Sequence, residues 1–517
     1  MGLRLYSTSI GTASFQFKKS KGVTHMTQRY KEKHRLQFHF SPEEKWMNDP
    51  NGMVFFNEEY HLFYQYHPFG TTWGPMHWGH AISKDLIHWE QLPIALYPDE
   101  HGAIFSGSAV VDWNNTSGFF QDGPGLVAIY TSADNYPDSD QPRQRQSLAY
   151  SDDNGRTWTK YEGNPVLSDV HITDYRDPKV FWHEETNKWV MVLATGQTVT
   201  IYTSANLKEW EFASEFGHQA GSHDGVWECP DLFPLSIDGD ENKQKWVMFV
   251  SIGDNQEFKE GSRTQYFIGE FDGTTFENDN SEETVLWLDY GRDNYAGVSW
   301  SDIPTHDGRR IYIGWMSNWR YANQVPTEEW RSAMTLPRTL SLTASEAGVR
   351  LVQKVVSEID SIRKDSEVYQ NLTIESTKPI TFKMISPLLE VNLKFENQTS
   401  NSFGLVLKGS EDEKTVIRYD VEKELVAVDR TSAGDNAFSE SFPAVQEASV
   451  KMENNRINFQ VIIDTSSVEV LVNDGKVALT SLIFPKQPYG QIVLFSEEGN
   501  TSVSSLKLTE LESIWGK

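Results

Sequence analysis

Residues 188–195 read KWVMVLAT and residues 245–252 read KWVMFVSI, and these two nearly identical runs decide the fold of the chain. Three related runs, HLFYQY, GLVAIYT and RIYIGWMS, start at residues 61, 125 and 310. Successive runs begin about 57 to 65 residues apart, which indicates an internal repeat. Their β-branched and aromatic residues favour strands. The sequence therefore predicts five copies of one strand-rich unit.

Each of these runs follows another strand candidate, so every repeat begins with a hairpin. The first four repeats continue with a third strand and a turn that carries Trp or Phe, as in SKDLIHWEQL from residue 83. Four antiparallel strands repeated five times predict a five-bladed β-propeller, in which the first strand of each blade surrounds a central channel. A long β-sandwich is the alternative. The first strands read MNDPNGMVFF, FSGSAVVD, YRDPKVFW, ECPDLFPL and GVSWSDIP.

The last third of the chain has a different pattern. From about residue 357, alternating strands such as INFQVIID and SVEVLVND occur without the aromatic turn, and they predict a β-sandwich. We therefore expect an all-β protein, with a propeller over residues 35–344, a connecting segment over 345–356 that could be helical, and a sandwich over 357–517. Residues 1–34 are expected to form a disordered extension, and both Met1 and Met26 are open as the natural start.

Composition narrows the range of partners. The formal net charge of -27 argues against nucleic acid and anionic membranes, which bind basic surfaces, and favours a neutral substrate. A single cysteine, Cys229, excludes an intramolecular disulfide and a multi-cysteine metal site. No apolar run suggests a signal peptide or a membrane span, so a cytoplasmic location is expected, with secretion open if the N-terminus is incomplete. The oligomeric state is left open.

Three acidic residues fall on predicted first strands and should therefore converge at the channel. They are Asp49, Asp177 and Glu228, in the first, third and fourth repeats. Taken singly, Asp49 before Pro50 also suits a turn, and Asp177 beside Arg176 also suits an ion pair. Three converging carboxylates repel one another, so a purely structural role for this cluster is disfavoured. They suit glycoside hydrolysis, which needs a carboxylate nucleophile and a protonated acid.

The motifs WMNDPNG, FSGS, YRDP and WECPD resemble those of the levanase, inulinase and invertase family of glycoside hydrolases. The similarity runs from about Leu36 onward and is greatest to the bacterial levanases. It implies that Asp49 is the nucleophile, Asp177 the transition-state stabiliser and Glu228 the general acid/base. It implies a fructosyl pocket lined by Trp46, Asn48, Gln65, Trp73, Phe105, Ser106, Arg176, Tyr295 and Trp315.

The resemblance implies a retaining β-fructosidase that removes terminal fructose units from levan, inulin and sucrose. A narrow propeller axis also favours exo-action, because a chain end can enter a funnel where a continuous polymer cannot. A fructosyltransferase with the same covalent intermediate is one alternative, and a non-catalytic carbohydrate-binding propeller is another. HWGH at residues 77–80 is a weak metal signal, since a third ligand is missing nearby. We expect neither a metal nor a cofactor, and the preferred fructan linkage is left open.

Overall fold

A computed structural model describes residues 29–410 and 412–516, and it contains two all-β domains. The first is a five-bladed β-propeller and the second a β-sandwich, so the predicted fold class is confirmed. Helical structure in the described residues consists of two 3₁₀ turns, Ala322–Gln324 and Ser357–Ile362. No helix in these ranges has the length and apolar character needed to cross a membrane.

The propeller blades are antiparallel sheets whose first strands contact one another around the axis. Blade 1 comprises β1 (Lys45–Phe56), β2 (Glu59–His67), β3 (His77–Ser83) and β4 (Trp89–Leu96). Blade 2 comprises β5 (Ala103–Asp112), β6 (Gly125–Asn135), β7 (Pro142–Ser151), β8 (Thr159–Lys160) and β9 (Leu167–Ser168). Blade 3 comprises β10 (Tyr175–His183), β11 (Lys188–Thr195), β12 (Val199–Ser204) and β13 (Glu211–Phe216).

The remaining two blades share one continuous sheet, because β14 and β22 form a single parallel pair at Ile237 and Leu342. Blade 4 comprises β14 (Trp227–Ile237), β15 (Asp240–Ile252), β16 (Arg263–Phe271), β17 (Phe276–Asn278) and β18 (Leu286–Trp287). The next strands are β19 (Tyr295–Ser299), β20 (Arg310–Trp315), β21 (Trp330–Arg331), β22 (Arg338–Ser345) and β23 (Gly348–Val355), and all except β21 form blade 5.

Strand β23 corrects the prediction of a connecting segment over residues 345–356. It pairs with β22 along its whole length and forms the outer edge of blade 5. The prediction was wrong for two reasons. The fifth repeat lacks the aromatic turn that marks the third strand in the other repeats, and the chain leaves blade 5 between β20 and β22 before it returns. The third and fourth strands of this blade therefore occur later in the sequence than in the other repeats.

The excursion between β20 and β22 closes the ring. Strand β21 pairs in parallel with β1 of blade 1. A second link joins the same two blades, since Ser301 N–H donates to Met53 O and Phe55 N–H donates to Ser301 O, both at 2.9 Å. Hydrogen bonds thus connect the last blade to the first, and the ring of first strands is continuous.

The C-terminal domain is a sandwich of two six-stranded sheets around one large apolar core. Its strands are β24 (Arg363–Glu375), β25 (Ile380–Lys383), β26 (Leu389–Asn397), β27 (Ser402–Lys408), β28 (Lys414–Asp420), β29 (Leu425–Ser432), β30 (Val445–Ser449), β31 (Arg456–Asp464), β32 (Ser467–Val472), β33 (Val477–Leu482), β34 (Gln491–Glu497) and β35 (Asn500–Leu511). One sheet has the order β24-β35-β26-β31-β32-β33 and the other β25-β34-β27-β28-β29-β30.

Buried charged groups hold the sandwich against the propeller. Arg338 of β22 is fully buried, contacts Glu469 of β32 and donates to Asp289 Oδ2 at 3.0 Å. His39 bridges two carboxylates of the sandwich, with 2.7 Å from Nδ1 to Asp464 Oδ2 and 2.7 Å from Nε2 to Glu469 Oε1. Burial would lower the pKa of His39, but these two hydrogen bonds outweigh it and raise the pKa to about 9.

The segment that precedes the propeller is packed where the structure describes it. Tyr30 stacks on Trp515 with ring centroids 3.9 Å apart, and His34 is buried. The prediction of a disordered extension is therefore wrong for residues 29–34. Its remainder, residues 1–28, lies outside the described residues.

Candidate active site

All five first strands carry a bulge, where the strand holds one residue more than its hairpin partner. A bulge interrupts the alternation of a strand and turns neighbouring side chains toward the same side. Residues at these bulges hydrogen-bond across three blade boundaries, between blades 1 and 2, blades 3 and 4, and blades 4 and 5. The five first strands contact one another in turn, so their bulges surround the axis. The register shifts nearest the site lie between Met47 and Pro50, Ile104 and Gly107, Arg176 and Lys179, Glu228 and Asp231, and Tyr295 and Val298, and β1 has a second one between Asn51 and Val54.

Asp49 lies in the bulge of β1, in a mostly buried position. Its Oδ2 accepts a hydrogen bond of 2.7 Å from Ser106 Oγ, and its Oδ1 accepts one of 3.0 Å from Asn48 Nδ2. Burial and the charge of Glu228 raise the pKa of Asp49, while the Asn48 and Ser106 donors oppose this rise. Trp46 Nε1 donates to Asn48 Oδ1 at 2.7 Å and so orients the Asn48 amide.

Asp177 lies in the bulge of β10, with φ of 64° in the left-handed region, which Asp tolerates better than most residues. Its Oδ2 accepts a hydrogen bond of 3.0 Å from Cys229 N–H and lies 3.5 Å from the Cys229 thiol. Burial raises the pKa of Asp177 to about 7, since the charges of Glu228 and Asp49 reinforce the rise and Arg176 only partly opposes it.

Glu228 directly precedes the bulge of β14 and lies between two donors. Arg176 Nη2 donates to Glu228 Oε1 at 2.9 Å, and the Tyr295 hydroxyl donates to Oε2. Arg176 is fixed in turn by Asp174 Oδ1 at 2.5 Å and by Gln144 Oε1 at 3.2 Å. Burial raises the pKa of Tyr295 well above its usual range, so the phenol keeps its proton and remains a donor.

These carboxylates border a cavity of about 300 Å³ at the mouth of the channel. Trp73 forms its outer rim, is 48% exposed and packs edge-on against Phe105. A cavity of this size takes a small polar group such as one sugar unit more readily than a polymer segment. Its lining consists of Asn48, Asp49, Gln65, Trp73, Phe105, Ser106, Gln144, Asp174, Arg176, Asp177, Glu228 and Trp319.

Nine of the twelve predicted site residues line this cavity, and the other three lie behind it. Trp46 and Trp315 are fully buried and pack against Trp319, with ring centroids 5.9 Å and 4.7 Å away. They support the wall rather than form it. Tyr295 is also fully buried and reaches the site through Glu228.

Sequence reasoning missed three lining residues, Gln144, Asp174 and Trp319. Asp174 stands two residues before Arg176, a spacing that could have suggested their ion pair. Trp319 follows Trp315 by four residues in the segment after β20. Gln144 lies on β7, the third strand of blade 2, and the sequence gives no signal that this strand reaches the axis.

The lining charges are unbalanced, because three catalytic candidates and Asp174 face a single cation, Arg176. Buried carboxylates that repel one another retain a proton to higher pH than isolated ones. The cluster can therefore hold one ionised carboxylate beside a protonated carboxyl group. Nucleophilic attack coupled to proton donation needs this combination. No group of His, Cys, Asp and Glu suited to bind a metal ion occurs in residues 29–410 and 412–516.

Two family models match nearly all of the described chain. The model "Glycosyl hydrolases family 32 N-terminal domain" matches residues 39–355, and "Glycosyl hydrolases family 32 C terminal" matches residues 358–510. A levanase from Bacillus subtilis (strain 168) is 52% identical over 493 residues, which cover 94% of this chain and 72% of the relative.

Solved structures agree with these matches. An exo-inulinase from Aspergillus awamori superposes with a TM-score of 0.85 at 38% identity, covering 94% of this chain and 100% of that one. A β-fructofuranosidase from Schwanniomyces occidentalis, complexed with fructosyl-erythritol, gives a TM-score of 0.84 at 34% identity. The match covers 94% of this chain and 99% of that one.

Proposed function

This chain belongs to glycosyl hydrolase family 32, and on that premise we propose that it hydrolyses terminal β-fructofuranosyl units from fructans and sucrose. The proposal rests on one observation: Asp49, Asp177 and Glu228 line the same small cavity. The names of the relatives, levanase, exo-inulinase and β-fructofuranosidase, support fructose polymers and fructosides as substrates. The chain is a glycoside hydrolase with a neutral, polyhydroxylated substrate.

In the first step, a carboxylate oxygen of Asp49 attacks the anomeric carbon of the terminal fructosyl unit. The bond from that carbon to the leaving oxygen breaks, and Glu228 donates its proton to that oxygen. Ser106 and Asn48 hold the Asp49 carboxylate in place, so the nucleophile needs little reorganisation. Asp177 accepts hydrogen bonds from sugar hydroxyls as positive charge develops on the ring.

In the second step, Glu228 removes a proton from water as the water oxygen attacks the same carbon. The ester bond to Asp49 breaks, and its electron pair returns to the carboxylate. Two displacements at one carbon restore the original β configuration. Tyr295 and Arg176 stay hydrogen-bonded to Glu228 through both steps and keep its carboxyl group at one position.

The floor of the cavity favours removal of end units. Below the carboxylates the axis narrows to a void of about 10 Å³, bordered by Asp177, Cys229 and Lys179 among others. The cavity is therefore closed below and has a volume of about 300 Å³, which suits one terminal sugar unit entering from the rim at Trp73 better than an internal segment of a polymer. Exo-action follows from this shape.

Transfer of the fructosyl unit to a second sugar would use the same covalent intermediate, and it is not favoured. The relatives are named as levanase, exo-inulinase and β-fructofuranosidase, which favours water as the acceptor. The order of preference among levan, inulin and sucrose depends on contacts beyond the first sugar unit.

Product analysis on sucrose, inulin and levan tests the proposal. We expect free fructose from all three, with the ratio of rates giving the preference. The Asp49→Asn variant is the matched control, since it keeps the shape of the pocket and removes the nucleophile. Products from sucrose that are oligosaccharides instead of free fructose would assign a transferase, and no turnover of any of the three would refute the proposed activity.

A further inference from the structure

A second cavity of about 690 Å³, which we call the base cavity, opens at the other end of the propeller axis. The active-site residues come from the beginnings of the first strands, whereas the base cavity is lined by their ends. It therefore opens on the opposite face from the active-site pocket, and it is more than twice as large. Its aromatic and charged lining residues include Asp112, Trp113, Lys179, Trp182, Glu184, Glu185, Trp246, Asp302 and Arg310.

Side chains on the axis separate the base cavity from the active site. Lys179 Nζ donates to Ser299 O at 2.5 Å and lies 3.4 Å from Asp231 Oδ2, and both charged groups are buried. Lys179 borders both the base cavity and the void of about 10 Å³ beneath the catalytic carboxylates. The base cavity is therefore not a second entrance to the active site, and a ligand in it cannot reach Asp49.

An anchored indole stands at the mouth of the base cavity. Trp113 is 57% exposed, yet its Nε1–H donates to Asp302 Oδ1 at 2.9 Å and its ring packs edge-on against Phe56. Asp302 is held as well, since its Oδ2 accepts a hydrogen bond of 3.0 Å from Val111 N–H. An exposed aromatic ring with a fixed orientation loses little entropy on binding, and its face suits the C–H groups of a sugar ring. Three further indoles, those of Trp182, Trp189 and Trp246, also line the cavity.

The charges of the base cavity argue for a neutral ligand. Its lining contains four carboxylates against two cations, so an anion is repelled. Neither cation is free: Lys179 pairs with Asp231, while Arg310 donates to Trp300 O at 3.2 Å and lies over the Phe233 ring. Asp112 and Asp302 already accept hydrogen bonds within the protein. The remaining carboxylates and amides of the lining, those of Glu184, Glu185, Asn114, Asn187 and Gln244, offer acceptors and donors for uncharged hydroxyl groups. A polyhydroxylated neutral molecule fits this lining.

The shape of the base cavity argues for a chain. A side groove of about 310 Å³ continues from it between blades 4 and 5. Cavity and groove share Pro234, Gln244, Asp302 and Arg310, so they form one elongated depression. A compact metabolite would leave most of this length empty, whereas a linear oligosaccharide would follow it.

We propose that the base cavity is a second, non-catalytic carbohydrate site that binds an internal stretch of a neutral fructan chain. The chemical class follows from the aromatic rings, the acidic lining and the elongated shape, and the choice of fructan rests on the proposed function. Binding at this site keeps the enzyme on polymeric substrate after each fructose is released, which raises the local concentration of chain ends. Sucrose is too short to benefit.

The test uses the Asp49→Asn variant as parent, so that the polymer stays intact, and measures retardation in native gels that contain levan. Trp113→Ala should raise the dissociation constant for levan about two- to tenfold, the effect expected for one stacked ring. Trp113→Phe should recover most of the affinity.

A second variant tests the site independently of Trp113. Gln244 is exposed at the junction of cavity and groove, so the larger side chain of Gln244→Arg should fill this junction and weaken levan binding. Phe212→Ala is the matched control, because Phe212 is 66% exposed and lies on the outer strand β13.

With Asp49 intact, Trp113→Ala should leave kcat/KM for sucrose unchanged and lower it for levan. Equal levan retardation of the parent, Trp113→Ala and Gln244→Arg would overturn the second site and identify the base cavity as a solvent-filled mouth. An equal loss on sucrose and levan would also overturn it, because the substitution would then act through the active site. The proposed function is tested separately: if the enzyme without substitutions releases no fructose from sucrose, that function is wrong, whatever the levan retardation shows.

Discussion

The hydroxyl of Ser106 donates a hydrogen bond of 2.7 Å to Asp49 Oδ2 across the boundary between blades 2 and 1. The nucleophile is thus held by a residue from the neighbouring blade. The same oxygen lies 3.6 Å from the Cys229 thiol of blade 4. Three blades therefore determine the position and protonation of one carboxylate.

Ser106→Ala should move the acidic limb of the kcat/KM profile to higher pH. The Ser106 hydrogen bond lowers the pKa of Asp49, so its loss raises that pKa, and Asp49 must be ionised to attack. A hydrogen bond to a charged group contributes about 1.5–3 kcal/mol, which corresponds to a shift of about one pH unit or more. The measurement is the pH dependence of fructose release from sucrose. Ser132→Ala, which removes a buried hydroxyl bonded to Ser147 instead, should leave the profile unchanged.

Asp49→Asn and Glu228→Gln should each lower kcat by about a thousandfold or more while the protein stays folded. Both substitutions keep the shape of the side chain. Asp49→Asn removes a charge that is costly to bury, whereas Glu228→Gln also removes the ion pair with Arg176, so any decrease in melting temperature should be small and confined to Glu228→Gln. Initial rates on sucrose and thermal unfolding give the two readouts. Azide should partly restore activity to the Asp49→Asn variant. Near-native rates in either variant would reject the assigned roles, and Asp238→Asn, in a turn of blade 4, serves as the control.

The fructose released first should have the β configuration. Direct attack by Asp49 followed by attack of water inverts the anomeric carbon twice, which gives net retention. Proton NMR of the earliest product, before mutarotation, distinguishes the anomers. Initial α-fructose would mean that water attacks the substrate directly and that Asp49 acts as a base.

Levan and inulin should yield free fructose from the first minutes, with little early decrease in polymer size. The cavity that holds Asp49 has a volume of about 300 Å³ and is closed below Asp177, so a terminal unit fits it better than an internal segment. Size-exclusion chromatography and fructose assays on the same samples test this. If short oligosaccharides accumulate before fructose, the pocket is open at its side and the exo assignment fails.

The stability of the protein should fall as the pH rises through about 9. The pKa of His39 is raised from its ordinary value of 6.5 to about 9, so the charged bridge to Asp464 and Glu469 is fully formed below about pH 6.5. Deprotonation at higher pH removes this stabilisation with a slope of at most about 1.4 kcal/mol per pH unit. Urea unfolding at about pH 6.5 and about pH 9 gives the difference. His39→Gln should be less stable at the lower pH and show a smaller difference between the two.

The sequence was sufficient for the fold class and for the main candidates of the site. The strand repeat was visible because each blade has similar apolar runs, and Asp49, Asp177 and Glu228 all fall on first strands of that repeat. The catalytic roles stay predictions until the variants are measured. The identity of β23 could not be predicted, because its pairing partner depends on the long excursion of blade 5 and not on a local pattern.

The limits at the site have the same physical origin. Gln144 reaches the cavity from the third strand of blade 2 and Trp319 from the segment after β20. How close these elements come to the axis depends on the tertiary structure and leaves no local pattern in the sequence. Trp46 and Trp315 were expected to line the pocket, but a tryptophan near the axis can equally pack against other aromatic rings, and these two pack behind Trp319. The cytoplasmic location stays a prediction.

The ring of five bulges restricts the length of the inner strands as well as their composition. Each extra residue reverses the phase of side-chain alternation beyond it, so deletion at one bulge would exchange axial and lateral side chains along the rest of that strand. Four neighbouring blades in the original phase could not accommodate the change. Natural selection can therefore accept substitutions at many inner positions, whereas insertions and deletions are confined to the turns at the blade edges. Selection should remove insertions or deletions that preserve the reading frame but fall within β1, β5, β10, β14 or β19.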